Sequence, residues 1–486
     1  MPIVLAWTSD ALPTPTSYIA DILADRPSVL VDDRRVATVE GQTVYVLVRS
    51  WPDDPAWRDR VSDLLVRGLP ALDTAIGIGW PLGNLLTVRE TLARPTGGGG
   101  DSGTGSGATT GSGGEGGGFD PATTQLDIPY TADPTAIIHG AAHGWFNGRL
   151  VADRWIAEGF AALYAERAGA ALKTKIASPA MTAAAAPQAL PLNSWVPGGN
   201  ADAFGYAAAL ALARDVAAQA GDAGLAAVWT AAARGEGAYQ PGDANPELGA
   251  APVDWRGLLD LLESKTGSSY EQLWREWVVR PGDVALLDAR HDARALYAAT
   301  VDRAGSWTLP RSIRDAMAAW RFDDATSVLQ AAGGVLEQRD TLARQAAVAR
   351  LVPPDALRAA FVGDGGIPVA AAEATTELAV VAAFQRLVAD RPADPNLLTR
   401  IGLIGTHPDA DIAAARAAFA AGDLDATLGH ADDAQAAWQS AGEVARGRIT
   451  SAALLAFALL VLAWLFRRER RTRRTARSHA TRQRRP

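Results

Sequence analysis

The chain has no cysteine, so disulfides and thiolate metal ligands are both excluded, although the compartment is left open. Histidine is scarce, six in 486 residues, which makes any close pair of them conspicuous. The first residues, MPIVLAW, lack a basic stretch, a long apolar run and a small-residue cleavage site, so no signal peptide is visible. Residues 97–118 are glycine and serine with nothing able to build a core. They contain no GK[ST] and lie in no strand-to-helix context, so they read as a flexible loop rather than a phosphate cradle.

What is present is the composition of a folded protein, 48% hydrophobic and 21% charged, with length for two or three domains. The net charge of −8 is unevenly placed. From Arg467 to Pro486 there are ten arginines and one glutamate, which leaves −17 on everything before that tail. An acidic body excludes nucleic acid as its partner.

The chemistry sits between Pro134 and Arg167. His139 and His143 are four apart, on one face of a helix, and a second helical run brings Glu158 within chain reach of both. Two imidazoles and a carboxylate are a ligand set for a catalytic zinc whose fourth position is left to water. Two ordinary helix histidines are the alternative.

These residues, with Trp145, Phe146, Gly159, Phe160 and Ala161, resemble the gluzincin metallopeptidases, the thermolysin-like and aminopeptidase N-like enzymes, whose pattern is HExxH, an aromatic pair, then NEGFA. The resemblance implies a thermolysin-like zinc peptidase domain with zinc on His139, His143 and Glu158. It also marks a departure: the family's proton-accepting glutamate is Gly140 here, so the general base is absent and a degenerate, catalytically impaired peptidase is expected. The connection between His143 and Glu158 is about one helical turn shorter than in the aminopeptidase N-like pattern. Tyr206 matches the tyrosine whose hydroxyl stabilises the oxyanion in such enzymes, with Ala209 where the glycine of that tetrapeptide would be; packing at a helix start is the equal alternative. The segment QLDIPY, 125–130, lacks the glutamate that holds a substrate amino terminus in aminopeptidases. Asp153 and Glu166 are the nearest carboxylates that a working enzyme would have to recruit.

Along the chain, Thr43–Ser50 predicts a strand and Val29–Val31 a weaker one, with VDDRR and VEGQ as turn-like separators. Residues 54–74 predict an amphipathic helix, 85–88 a strand, 204–220 and 225–233 helices, and 254–279 two short helices around a Gly-Ser turn. Residues 173–199 read as a loop over the site. His291 reads as a surface histidine and Trp255, Trp274 and Trp277 as core. From Ser312 to Gly447 the pattern is helical, and two stretches resemble tetratricopeptide-type hairpins, either a concave surface for a peptide or partner or a plain spacer.

Ile449–Phe466 holds eighteen uncharged residues, about 27 Å as a helix, enough to span a bilayer. The arginines that follow mark that side as cytoplasmic and the body as outside. Such export needs a signal, so either the true start lies upstream, the preferred reading, or the body is cytosolic and the charge rule fails. The fold expected is therefore mostly α with a small α+β part: a remnant β-rich segment (1–52), a gluzincin-like domain (53–300), a helical, TPR-like stalk (301–448), one transmembrane helix (449–466) and an arginine-rich tail (467–486). The function expected is that of a membrane-anchored, metallopeptidase-like protein with a peptide or protein ligand. An active hydrolase using another carboxylate and a non-enzymatic helical scaffold are the alternatives.

Overall fold

The computed structural model describes residues 29–92, 118–196, 198–240, 252–363 and 365–482. The loop expected at 97–118 lies, except for Gly118, outside the described residues, as do the first 28 positions. The chain resolves into two compact units, Met1–His291 with Ala318–Trp320, and Asp292–Met317 with Arg321–Pro486.

The first unit is built on a five-stranded sheet. Its strands are β1 (Val31–Val39), β2 (Gln42–Ser50), β3 (Leu85–Thr91), β4 (Phe119–Asp120) and β5 (Gln125–Pro129), in the order β1-β2-β3-β5-β4. β1 and β2 form an antiparallel hairpin that turns at Glu40 and Gly41, both at positive φ, as the twist of paired strands requires. The separator VEGQ is thus a turn, but VDDRR is the start of β1. Its charges misled because β1 is an edge strand with one solvated face: Arg49 pairs with Asp32 across the hairpin and Arg35 with Asp33. Because β2 also pairs in parallel with β3, a boundary at residue 52 falls inside one sheet.

A parallel pair needs a crossover, and α1 (Pro55–Ile76) supplies it. Asp54 caps it by accepting from Trp57 N, Pro55 takes the first turn, and Gly77 ends it in the left-handed conformation. Its buried stripe, Trp57, Val61, Leu65, Leu69, Leu72 and Ile76, gives it one face for the core. Behind it come α2 (Pro134–Ala142), α3 (Arg154–Leu172) and α4 (Asp202–Arg234). The two helices expected at 204–220 and 225–233 are both there: the run is broken at Gly221, whose backbone is non-helical (φ 67, ψ 167). Helices α3 and α4 cross closely at Gly159, where a Cβ would meet the Ala209 carbonyl oxygen at 2.5 Å. Ala209 therefore serves that crossing. The unit closes with α5 (Trp255–Thr266) and α6 (Glu271–Leu273), the latter running into a π-turn at Trp274–Val278. His291, as expected, is exposed, near Glu271.

The second unit is entirely helical among its described residues. It contains α8 (Arg311–Ala318), α9 (Phe322–Ala349), α10 (Ala356–Val362), α11 (Gly366–Ala389), α12 (Leu397–Gly402), α13 (Pro408–Ala420) and α14 (Leu424–Arg482), following α7 (Val284–Ala304). Among the described residues two helices, not one, are long and apolar enough to cross a membrane. In α11 the residues Ala370, Ala374, Val381 and Phe384 are buried, and 39% of its most apolar window lies inside the unit; the window of α14 is 0% buried. Length and composition admit both, and packing separates them.

Candidate metal centre

Helix α2 starts cleanly because Asp133 accepts from Ala136 N and Pro134 occupies the first turn. It stops at Ala142 because the chain turns at His143–Asn147. There Asn147 Nδ2 donates to the carbonyls of His143 (2.9 Å) and Gly144 (3.0 Å), two acceptors a helix end leaves without partners. The turn is short. Ala152 N then donates to Val253 O, and α3 begins at Arg154, so Glu158 arrives on its second turn. This is how a connection one helical turn shorter still closes on the same point.

The three donor atoms converge. His139 Nε2 lies 3.2 Å from His143 Nε2 and 3.3 Å from Glu158 Oε2, and His143 Nε2 lies 3.5 Å from Glu158 Oε2. Ligands about 2.0–2.1 Å from a tetrahedral zinc stand about 3.3–3.4 Å from one another, so the triangle has the edge lengths of a zinc site. The protonation pattern agrees. His143 Nδ1 donates to Phe146 O at 2.9 Å, which leaves the Nε2 lone pair of the neutral ring facing the Glu158 carboxylate. Two acceptors so close repel unless a cation or a proton lies between them. The donor set therefore fits a divalent zinc-like ion.

The titrations reflect this crowding. Burial favours neutral Glu158, but His143 and His139 outweigh it and hold its pKa well below the carboxylate range. His139 is lowered, burial outweighing its hydrogen bond to Glu158. His143 is also pushed down by burial, yet the charge of Glu158 outweighs this and its pKa is raised.

The aromatic residues form the wall behind the ligands. Phe146, whose carbonyl orients His143, stacks on Tyr164 (5.3 Å) and Phe160 (6.0 Å) and meets Trp229 edge-on (5.1 Å). Trp229 Nε1 donates to Tyr164 Oη at 2.9 Å. Trp145 donates from Nε1 to Ile78 O and Gly79 O and so ties the turn to the end of α1.

Gly140 is buried on the side of α2 facing β5. A Cβ there would lie 2.9 Å from Leu126 Cδ1 and 3.7 Å from Ile128 Cδ1. The space for a longer side chain is filled by Leu126. Of the substitute carboxylates, Asp153 accepts from Trp255 N at 2.6 Å and ties the start of α3 to α5. Glu166 lines a cleft of about 520 Å³ that also contains His139 and Tyr206, but it is bound by Arg214 and Ser178.

Tyr206 Oη does lie beside this cleft, and Arg154 donates to it at 2.6 Å. Arg154 is the residue the sequence reading missed. Four before Glu158 on α3, it lies 3.9 Å from Glu158 Oε1, 3.9 Å from Asp202 and 4.4 Å from the centre of the Trp195 ring. Its i,i+4 spacing to Glu158 was the available signal.

Models of known families give no match to this chain, and neither do curated proteins. Among solved structures it is similar to an M1 zinc metallopeptidase from Deinococcus radiodurans, at 19% identity and TM-score 0.37 over 51% of this chain and 53% of that one. A two-domain M1 zinc metallopeptidase variant bound to L-arginine gives 19% identity and TM-score 0.37 over 52% of each chain. A variant bound to a Tyr-Ser-Ala substrate, from Deinococcus radiodurans, gives 18% and 0.34, over 51% and 53%. The chain spans about half the length of these solved chains.

Proposed function

We propose that this protein is a membrane-anchored, zinc-binding, peptidase-like protein whose hydrolytic step is impaired and whose cleft holds a peptide. The observation that carries this reading is the triangle of His139, His143 and Glu158 donors, with edges of 3.2–3.5 Å. Zinc bound there supplies Lewis-acid polarisation of a carbonyl or water. In this reading Tyr206, which lines the cleft, is the hydroxyl that would stabilise an oxyanion there, and Arg154, donating to that hydroxyl, would strengthen it as a donor. At Gly140 there is no group to take a proton. The cleft also presents Ala136, Ala162, Ala165 and Ala180, which suit the backbone and small side chains of an extended peptide. Residues 449–466 cross the membrane, with the body outside and the arginine-rich tail in the cytoplasm.

Metal analysis of the purified full chain tests the first part. One zinc per chain is expected, and Glu158→Gln and His143→Ala are expected to lose it; a native chain that takes up no zinc even when saturated with it sinks the reading. Activity tests the second. The native chain is expected to hydrolyse peptides negligibly, and Gly140→Glu combined with Leu126→Ala to gain part of the roughly 100- to 10,000-fold that a general base contributes.

A second reading, an active hydrolase using Glu166, is favoured by one observation: Glu166 lines the same cleft as His139. Ordinary hydrolysis by the native chain that disappears in Glu166→Gln would establish it in place of the first.

A further inference from the structure

Glu377, on α11, is fully buried, yet neither of its carboxyl oxygens has a hydrogen-bond partner. An ionised carboxylate in such a place is strongly disfavoured unless a cation or several donors meet it. Helices α9, α10 and α14 pack on α11, but among the described residues no basic side chain acts on Glu377. The one charged group that does is Glu373, a turn earlier on α11 itself, and a like charge at that spacing disfavours ionisation further. Burial first and Glu373 second push the Glu377 pKa up to about 7, against the backbone N–H of Leu357, which favours the carboxylate. Leu357 belongs to the first turn of α10, so the carboxyl sits where α10 begins. Leu357 and Phe361, four apart, are the buried face of α10, and the Phe361 ring lies 5.3 Å from that of Trp307. With seven residues and no side-chain hydrogen bond from its N-cap Asp355, α10 is held by this packing alone.

We propose that Glu377 is a proton-operated latch: with its proton it completes the apolar seat of α10 on α11, and on losing it drives the first turn of α10 off that seat. Below the ordinary carboxylate range the group is protonated whether α10 is seated or open, so pH has no effect there. Between that range and about 7 the open form ionises first, so seating weakens as pH rises; above about 7 both forms are ionised and the loss is complete. A rise from 4.5 to about 7 corresponds to a roughly 100- to 300-fold loss of seating between pH 4 and pH 8. Opening bares Phe361 and the Trp307 ring beneath it, so this apolar surface is covered in acid and available above neutrality.

Hydrogen exchange of the full chain in lipid nanodiscs, read by mass spectrometry on peptides covering α10 and divided by the intrinsic rate at each pH, measures the seating. In the native chain the corrected protection of α10 is expected to fall by roughly 100-fold or more from pH 4 to pH 8, while peptides from α9 and α13 keep theirs. Glu377→Gln, which keeps the shape without the charge, is expected to hold α10 protected at both pH values. Glu373→Gln is expected to keep the response and move its midpoint to lower pH, because the like charge is gone; a packing role for Glu377 would not move it. Protection of native α10 that does not change with pH refutes the latch, and so does a change that survives in Glu377→Gln. A loss shared equally by α9 and α13 is unfolding of the whole unit and refutes it too. If Glu377→Gln leaves α10 unprotected at every pH, the Glu373→Gln midpoint decides, and an unmoved midpoint sinks the proposal.

Discussion

Gly140 has surroundings that explain why glycine is stable there. Leu126 and Ile128 of β5 are fully buried against this face of α2, and any β-carbon would press on Leu126. Gly140→Glu alone is therefore expected to overpack the core and cost about 1–3 kcal/mol, offset only in part by the roughly 1 kcal/mol that glycine loses in a helix interior. Denaturant unfolding of the single and double variants checks this: adding Leu126→Ala should recover part of the loss, not add to it. Glu90 is another buried carboxyl with a measurable consequence. One oxygen accepts from Trp51 N at 2.8 Å, and burial, helped by Asp54 and Asp53, pushes its pKa up to about 7. Below pH 4.5 the group is protonated in both folded and unfolded chains. As pH rises from there to about 7 the unfolded chain ionises first, so stability falls, by on the order of 2–3 kcal/mol in all. Glu90→Gln keeps the acceptor for Trp51 N and should abolish this fall. A thermal midpoint that rises in the variant at pH 8 and is unchanged at pH 4 is the expected signature; equal shifts at both pH values would contradict it.

At the scale of elements, the turn between α2 and α3 decides whether the ligands meet. The histidine pair, the aromatic pair and the EGFA run were legible in the sequence because their spacing repeats helical geometry. Glu158 was expected to join them, but the means by which a shorter connection allows it was not legible, because it depends on Asn147, whose two donated hydrogen bonds make the turn tight. Asn147→Ala is expected to cost about 1–2 kcal/mol of stability and roughly tenfold or more in zinc affinity, by loosening the residues that aim His143. Competition with a calibrated chelator measures the second. Arg154 escaped the sequence reading because an arginine in the first turn of a helix ordinarily reads as solvated, and only the fold brings Trp195, Tyr206 and Asp202 around it. Strand β1 escaped for a related reason. Its charged side chains pair across an edge, a placement that alternation of apolar and polar residues does not reveal.

For the whole molecule, charge and apolar surface separate along the chain. The site residues all belong to the first unit, whereas the uncharged stretch and the arginines end the second. Every residue from Ile449 to Phe466 is exposed, including Leu454, Phe457, Leu460 and Trp464, a surface that water does not tolerate and a bilayer does. Removal of residues 449–486 is therefore expected to shift the protein from the membrane fraction to the soluble one while leaving its zinc content unchanged. Carbonate washing and metal analysis of the same preparations report both quantities. A shortened chain that still resists carbonate would mean that the anchor lies elsewhere. A shortened chain that loses zinc would mean that the second unit supports the metal centre.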